Sequence, residues 1–268
     1  MCRVVKVSES GYYRSLQSAG KPKPWQLLPV KIREIYNENP DNDNYGVGRI
    51  LLALTQRGIA ISRSSVRRAM KRGGLLHGAP RQPGNLTRAD LAAQKAENLI
   101  HRDFTAGTPN RKWLTDITQI QCQDGKLYLA AVLDCYNGEI VGLAMDDNMK
   151  KELCACQAQG AYGMTLHSDR GSQFTSSSFQ KVLAQYGAVQ SMSGTGRCYD
   201  NARMESFFAT LKKEKLYRIR TEQMPMAQVK SIVFRYIMTY YNRQRIYTAN
   251  PGGLPPAMYR QAARGLAA

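Results

Sequence analysis

Two dipeptides, Asp124-Gly125 and Asn137-Gly138, cut residues 113–145 into three strand-like runs. Each is a strong hairpin signal, because the tight turns that join antiparallel strands favour positive φ at their centre. The runs are 113–121, 127–134 and 140–145, and the second is nearly all apolar, as a strand covered on both faces is. The pattern then changes. A short strand at 164–167, a helix over 176–186, a strand at 188–191 and a helix from 201 follow in turn. Three antiparallel strands and then alternating strand and helix specify an α/β domain, with a mixed five-stranded sheet flanked by helices. The crossover into the fourth strand has only residues 146–163, close to the minimum of about a dozen for a parallel connection. Ala155, Cys156, Ala158 and Ala161 are small, so a helix there buries little.

Three carboxylates lie at places where this order lets them meet. Asp116 is inside the first strand. Asp169 follows the fourth strand in His167-Ser168-Asp169-Arg170-Gly171-Ser172-Gln173-Phe174, where Gly171 permits a tight turn. Glu205, beyond residues 170–204, sits on the last of these helices, for which Asp200 is a suitable N-cap. Carboxylates from different elements suffice to hold Mg²⁺, a hard ion that takes oxygen ligands and keeps several waters. Two such ions roughly 3.5–4 Å apart clamp the attacking and leaving oxygens of a phosphodiester. Asp116, Asp169 and Glu205 therefore read as a catalytic triad for two Mg²⁺, with Mn²⁺ as a substitute. Asp134, ending the second strand, and Asp146-Asp147 compete with Asp116 on local sequence alone. Lys212 shares a helix face with Glu205 and Phe208. His167 either orients Asp169 or is a satisfied neighbour, and Arg170 and Asn201 are candidate supports.

A net charge of +18 and a pI near 9.8 favour a polyanionic partner, without choosing among polyanions. Residues 1–20 read as an N-terminal fragment, followed by the stiff basic stretch Lys21-Pro22-Lys23-Pro24. Residues 21–77 form a small all-α unit. Val30, Ile32, Ile35 and Tyr36 mark one helix; Ile50, Leu51 and Leu54 mark a second, stopped at Gly58. Ser62 caps a third, with Val66, Ala69 and Met70 inward and Arg63, Arg67, Arg68, Lys71 and Arg72 outward. That pattern suits a helix-turn-helix with a DNA-binding last helix, or a solvated basic face. A linker with a helix at 88–101 spans 78–110, the core runs 111–216, and a helical extension and tail, packed back on the core, fill 217–268. Six cysteines show no zinc spacing and read as reduced thiols of a cytosolic protein. No apolar run reaches the length of a membrane span.

The words quoted above, with Tyr199-Asp200-Asn201-Ala202-Arg203-Met204-Glu205-Ser206-Phe207-Phe208-Ala209-Thr210-Leu211-Lys212, resemble the DDE transposases with a retroviral-integrase-like core. The chain is most similar to the second-reading-frame product of the insertion sequence three family of bacterial mobile elements. The resemblance runs from Ser8-Glu9-Ser10-Gly11-Tyr12-Tyr13 to Pro256-Ala257-Met258-Tyr259. It implies a ribonuclease H-like core and favours Asp116 as the first carboxylate, through Trp113-Leu114-Thr115-Asp116-Ile117-Thr118. It implies that Lys212 helps hold the terminal DNA and that the loop 193–199 touches DNA at the cut. Tyr247 stands where the family usually has His. The implied reaction is magnesium-dependent cleavage at an element end, followed by attack of the freed 3′-hydroxyl on another strand, with no covalent protein–DNA intermediate. The implied partners are double-stranded DNA, further copies of the chain and the upstream-frame product, in the bacterial cytoplasm at the nucleoid. The alternatives are an inactive DNA-binding remnant or regulator, and a ribonuclease sharing the fold order.

Overall fold

The computed structural model describes residues 8–18, 24–76, 96–148, 163–171, 173–194 and 198–265. The chain divides into two compact units, Met1–His77 and Gly78–Ala268. The 146–163 crossover and the 88–101 helix fall mostly outside the described residues. Of the latter, 96–99 are irregular rather than helical.

In the first unit α1 (Glu9–Ser18) precedes three packed helices, α2 (Pro24–Asn37), α3 (Val47–Gln56) and α4 (Arg63–Arg72). Their shared core is Leu28, Ile32, Ile35, Ile50, Ala53, Leu54, Val66, Ala69 and Met70. Val30, expected inward, is 53% exposed because the α2 stripe runs through Leu28, Ile32 and Ile35 instead. Gly58, at φ 74°, ends α3 in a left-handed turn. Ser62 caps α4, its hydroxyl accepting from the Ser65 amide at 3.2 Å.

The second unit is built on a five-stranded sheet in the order β3-β2-β1-β4-β5. The strands are β1 (Lys112–Cys122), β2 (Gly125–Asp134), β3 (Ile140–Asp146), β4 (Thr165–Ser168) and β5 (Val189–Met192). β1 pairs antiparallel with β2 and β2 with β3, whereas β1–β4 and β4–β5 are parallel. This is the ribonuclease H-like arrangement. β2 is buried along most of its length. Ala130 and Val132 join Trp113, Leu166, Phe174, Phe179, Leu183 and Met192 in one core cluster, roofed by α5 (Ser177–Gln185). The alternating residues Leu127, Leu129, Ala131 and Leu133 are buried too, as expected of a strand covered on both faces.

Both hairpins form, with shifted geometry. Cys122 pairs with Gly125, so the first loop is Gln123-Asp124 and Gly125 already belongs to β2. The second connection spans residues 135–139 and is closed by the Gly138 amide on the Asp134 carbonyl at 2.9 Å. Gly138 has φ 76°, and a Cβ there would come within 2.6 Å of the Tyr247 ring. Gly138→Ala therefore combines a left-handed backbone penalty with a clash. It is expected to lower unfolding free energy by about 2–4 kcal/mol in a urea titration. A loss under 0.5 kcal/mol would show that the tail does not press on this turn.

Beyond α6 (Ala202–Glu214) the chain returns over the sheet. α7 (Met226–Arg235) continues into a π-helical turn at Tyr236–Tyr241, and α8 (Pro256–Gly265) follows. Three asparagines fasten this tail to the second turn. Asn242 bonds both the amide and carbonyl of Ile140, at 3.0 and 2.9 Å. Asn250 donates to the Asn137 carbonyl at 3.1 Å, and Asn137 donates to the Pro256 carbonyl at 2.8 Å. The side chains thereby satisfy backbone groups that the sheet leaves unpaired.

Candidate active site

The parallel register between β1 and β4 decides where the acids lie. Lys112, Trp113 and Leu114 pair with Thr165, Leu166 and His167. Carried two residues further, that register sets Asp169 beside Asp116. Neighbouring strands lie about 4.8 Å apart, and residues in register point to the same face. β4 ends at Ser168, so Asp169 is the first residue beyond the strand. The Gly171 amide bonds its Oδ1 at 2.9 Å. The Gln173 side-chain amide lies against Gly171, in the space that a Cβ there would enter.

The electrostatics agree with this proximity. Burial pushes the Asp116 carboxyl up to about 7, and the charges of Asp169 and then Glu205 push in the same direction. The Ile117 amide, which bonds Asp116 Oδ1 at 2.8 Å, and Lys212 pull it back. Burial also raises Asp169, against its bond from Gly171, and raises Glu205. Lys212 is lowered by burial and held up by Asp116. Asp169 is thus the acid that acts more strongly on Asp116. Glu205, exposed near the start of α6, acts on Asp116 more weakly. Among the described residues, no three carboxylate, imidazole or thiol side chains already form a cluster able to hold a metal ion.

The start of α6 is fixed to β1. Asn201 Nδ2 donates to the Thr115 carbonyl at 3.2 Å, next to Asp116, and Arg203 Nη1 donates to the Cys135 carbonyl at 2.7 Å. Met204, Phe207, Phe208 and Leu211 bury the inner face of α6. Asp200 is not the expected cap: α6 begins at Ala202, and its cap, Asn201, makes no side-chain bond to the helix amides. The buried Asp200 carboxylate instead takes Asn98 Nδ2 at 2.9 Å, Arg102 Nε at 2.8 Å and the Gly194 amide at 2.9 Å. These donors turn the Asp200 carboxylate toward residues 98–102 and 194 rather than toward the first turn of α6. Sequence reading missed Arg102 and Asn98 because they lie about a hundred residues from their partner.

The supporting residues divide. His167 is fully buried between the Ser191 and Ser193 hydroxyls, at 2.8 and 3.2 Å, and burial pushes it down to about 4. It is a neutral core histidine, bonded to β5 rather than to Asp169. Arg170 Nε donates to the Ser193 carbonyl at 2.5 Å, tying the turn after Asp169 to the end of β5. Asp134, the rival to Asp116, is fully buried and engaged. It accepts from the Asn110 amide at 2.9 Å, the Tyr136 amide at 2.9 Å and Arg260 Nη2 at 2.6 Å. Asp146, the other rival, is on the outer strand β3 opposite Tyr128, two strands across and three residues along the register from Asp116. Tyr247, in place of the family's histidine, packs on Gly138 and edge-on to Tyr241 at 6.2 Å. In the first unit Arg63, Arg67, Arg68, Lys71 and Arg72 are all exposed along α4.

Comparison with known proteins agrees with this fold. Residues 106–198 match the family described as "Integrase core domain", and 205–263 match a second family of the same description. Residues 25–83 match "HTH-like domain". The chain is 36% identical to the insertion element IS600 uncharacterized 31 kDa protein of Shigella sonnei, over 100% of both chains. It is 33% identical to the putative transposase InsK for insertion sequence element IS150 of Escherichia coli (strain K12), covering 97% of this chain and 92% of that one. It is 31% identical to the transposase InsF for insertion sequence IS3A of the same organism, covering 97% and 92%. The integrase catalytic core domain of HTLV-2, solved in complex with magnesium, overlays at 19% identity with a TM-score of 0.42, over 58% of this chain and 99% of that one. Full-length identity to these relatives, an integrase core and an HTH-like unit together place the chain in the IS3 family: it belongs to the transposases of bacterial insertion sequences.

Proposed function

We propose that this transposase cuts and rejoins DNA strands at a divalent-metal site held by Asp116, Asp169 and Glu205. The observation that carries the proposal is the β1–β4 register, which extended two residues past Leu114 and His167 brings Asp169 to Asp116, together with the upward displacement of the Asp116 carboxyl by burial and then by the charges of Asp169 and Glu205. Acids packed against one another are a poor arrangement for a lone protein and a good one for a dication. The donor set is all oxygen, which fits Mg²⁺ or Mn²⁺ rather than a softer metal. When bound, such a cation supplies the charge that stabilises a phosphodiester's transition state.

The chain's own residues supply the rest. Asp116 and Asp169 form the fixed half of the site, anchored by strand register and by the turn at Gly171. Glu205 is the adjustable third ligand, on an exposed position of α6. Lys212, two turns further on, is near enough to Asp116 to lower its carboxyl and is available to a DNA phosphate. His167 stays neutral in the core and takes no part in proton transfer. The direct test incubates labelled duplex carrying the element's terminal repeat with Mg²⁺ or Mn²⁺. Nicked and joined products are expected, and none in EDTA. DNA binding without any product in either metal would favour the inactive-remnant reading.

The exposed basic face of α4 is the proposed duplex contact of the first unit. Its charges match phosphates, and such contacts release counterions. Arg67→Ala with Arg68→Ala is expected to weaken duplex binding about tenfold at moderate salt. It should also make the dependence of log affinity on log salt shallower by about one unit per residue removed. An unchanged slope in a fluorescence-anisotropy titration would leave α4 a solvated face.

A further inference from the structure

We propose that Asn201 is a positioning residue of the acid site. Its carboxamide stands in for the β1–β4 hydrogen bond that Asp169 gives up, and so fixes the backbones that carry the three acids to one another. This deepens the strand-cutting reading above and rests on it.

Successive carbonyls of a strand point to opposite neighbours. The Arg111 carbonyl accepts from the Thr165 amide at 2.9 Å, on the β4 side, and the Lys112 carbonyl accepts from the Cys135 amide at 2.9 Å, on the β2 side. The carbonyls of Trp113 and Thr115 therefore face β4, as that of Arg111 does. A ladder continued at this spacing would put the Asp169 amide on the Thr115 carbonyl. It is not continued, because the pairing ends at Leu114 and His167. Asn201 Nδ2 takes the Thr115 carbonyl instead, at 3.2 Å. The backbone of Asp169 is thereby released from β1 into the turn where the Gly171 amide bonds its carboxylate at 2.9 Å. One side chain thus fills the ladder place between the residue before the first acid and the second acid itself. The third acid, Glu205, lies four residues further on, about one helical turn.

A purely structural role explains this asparagine poorly. It is 4% exposed, and its Oδ1 is buried with no hydrogen-bond partner among the described residues. A buried acceptor left unpaired offsets what the donor half gains, and such a group in a native protein calls for a reason. Nor does α6 depend on it for attachment. Arg203 ties the first turn to the Cys135 carbonyl at 2.7 Å, and Met204, Phe207, Phe208 and Leu211 bury the inner face. What Asn201 adds is a bond to β1 at the point where β4 parts from it. A misplacement of about 1 Å at a reacting centre can cost about a hundredfold in rate, so a bond at this point bears on the chemistry.

The test uses the full chain with Asn201→Ala and with Asn201→Leu, which fills the asparagine's space without its amide. Both should melt in EDTA within about 2 °C of wild type. Hydrogen exchange in EDTA should be faster by about threefold or more over residues 202–209, and unchanged over 210–214. Affinity for Mn²⁺ without DNA, read from the paramagnetic resonance of the free ion, should fall about ten- to a hundredfold. On duplex carrying the terminal repeat at saturating Mg²⁺, kcat should fall about a hundredfold, with KM for DNA within about twofold of wild type. A folded variant with wild-type exchange, Mn²⁺ affinity and kcat overturns the proposal. Faster exchange with affinity and kcat unmoved also overturns it, because the bond then holds the helix without setting the site. So does a loss that comes only with a lower melting temperature, or one seen in Asn201→Ala and absent from Asn201→Leu, which marks a cavity rather than a missing bond. If wild type neither binds Mn²⁺ nor cuts DNA, the strand-cutting reading falls. The exchange over 202–209 then decides alone: faster in Asn201→Leu upholds the tie between β1 and α6, and wild-type exchange overturns it.

Discussion

Asp116→Asn is expected to abolish strand cleavage and joining, by about a thousandfold or more, while making the metal-free protein more stable. Both effects come from one carboxyl. Its loss removes a ligand and several kcal/mol of charge stabilisation in the transition state, and each 1.4 kcal/mol is tenfold in rate. Without a cation, however, the same carboxyl is a liability. Burial and two acidic neighbours push it from 3.8 up to about 7. A carboxyl raised on folding binds its proton more tightly in the native state. Its stabilising contribution is therefore full below about pH 4 and is lost as pH rises through about 7. At pH 8 the ionised wild-type side chain costs about 1–3 kcal/mol, after allowance for its partial exposure. Asparagine carries no such charge. In EDTA at pH 8 the variant should melt above wild type, and at pH 4 the gap should close. Mn²⁺ should raise the wild-type melting temperature and leave the variant's nearly unmoved. A variant that melts below wild type in EDTA would mean that the acids do not repel one another in the fold.

The second large effect is expected far from the chemistry. Arg245→Ala should reduce unfolding free energy by about 3–5 kcal/mol, a large part of a usual total of 5–15. Arg245 is 5% exposed and grips Glu214 with two bonds of 2.8 Å, Nε to Oε2 and Nη2 to Oε1. Tyr236 donates to the same carboxylate at 2.9 Å. Glu214 is the last residue of α6, where the helix dipole disfavours a negative charge, so it depends on these partners. The pairing holds the arginine above its ordinary value, and burial pushes the Tyr236 hydroxyl far up. Truncating the arginine leaves a buried anion and frays the end of the helix that carries Glu205 and Lys212. Activity should fall with stability. Adding Glu214→Gln to Arg245→Met should recover most of the stability, because no buried charge remains and the tyrosine keeps an acceptor. A loss below 1 kcal/mol in urea titrations would show that the tail does not secure α6.

Local pattern made the sheet legible. The alternating and continuous apolar runs of β1 to β3, the turn glycines and the amphipathic helices α3 and α4 each encode themselves within ten or so residues. The triad was legible only as three separated acids. Bringing two of them close depends on parallel register, because the β1–β4 pairing ends at Leu114 and His167, two residues before Asp116 and Asp169. Nothing local to either strand states that choice. Asp134 and Asp116 look alike in sequence, each an acid on a strand. They differ in partners, and the arginine that neutralises Asp134 is Arg260, near the far end of the chain. The tail was the least legible part. Asn137, Asn242, Asn250 and Arg245 act on groups 31 to 119 residues away, or are acted on by them, and follow no period. Asp200 misled for the same reason. A capping residue and a buried carboxylate clamp look the same until Arg102 and Asn98 are placed beside it.

The central claim is that Asp116, Asp169 and Glu205 together hold a divalent cation. Anomalous diffraction from crystals soaked in Mn²⁺ measures this directly. The expected result is a manganese peak within coordination distance of the Asp116 and Asp169 carboxylates, with Glu205 turned toward it, and no such peak in Asp116→Asn crystals. Manganese bound only elsewhere, or a peak at this place that survives loss of Asp116, would contradict it.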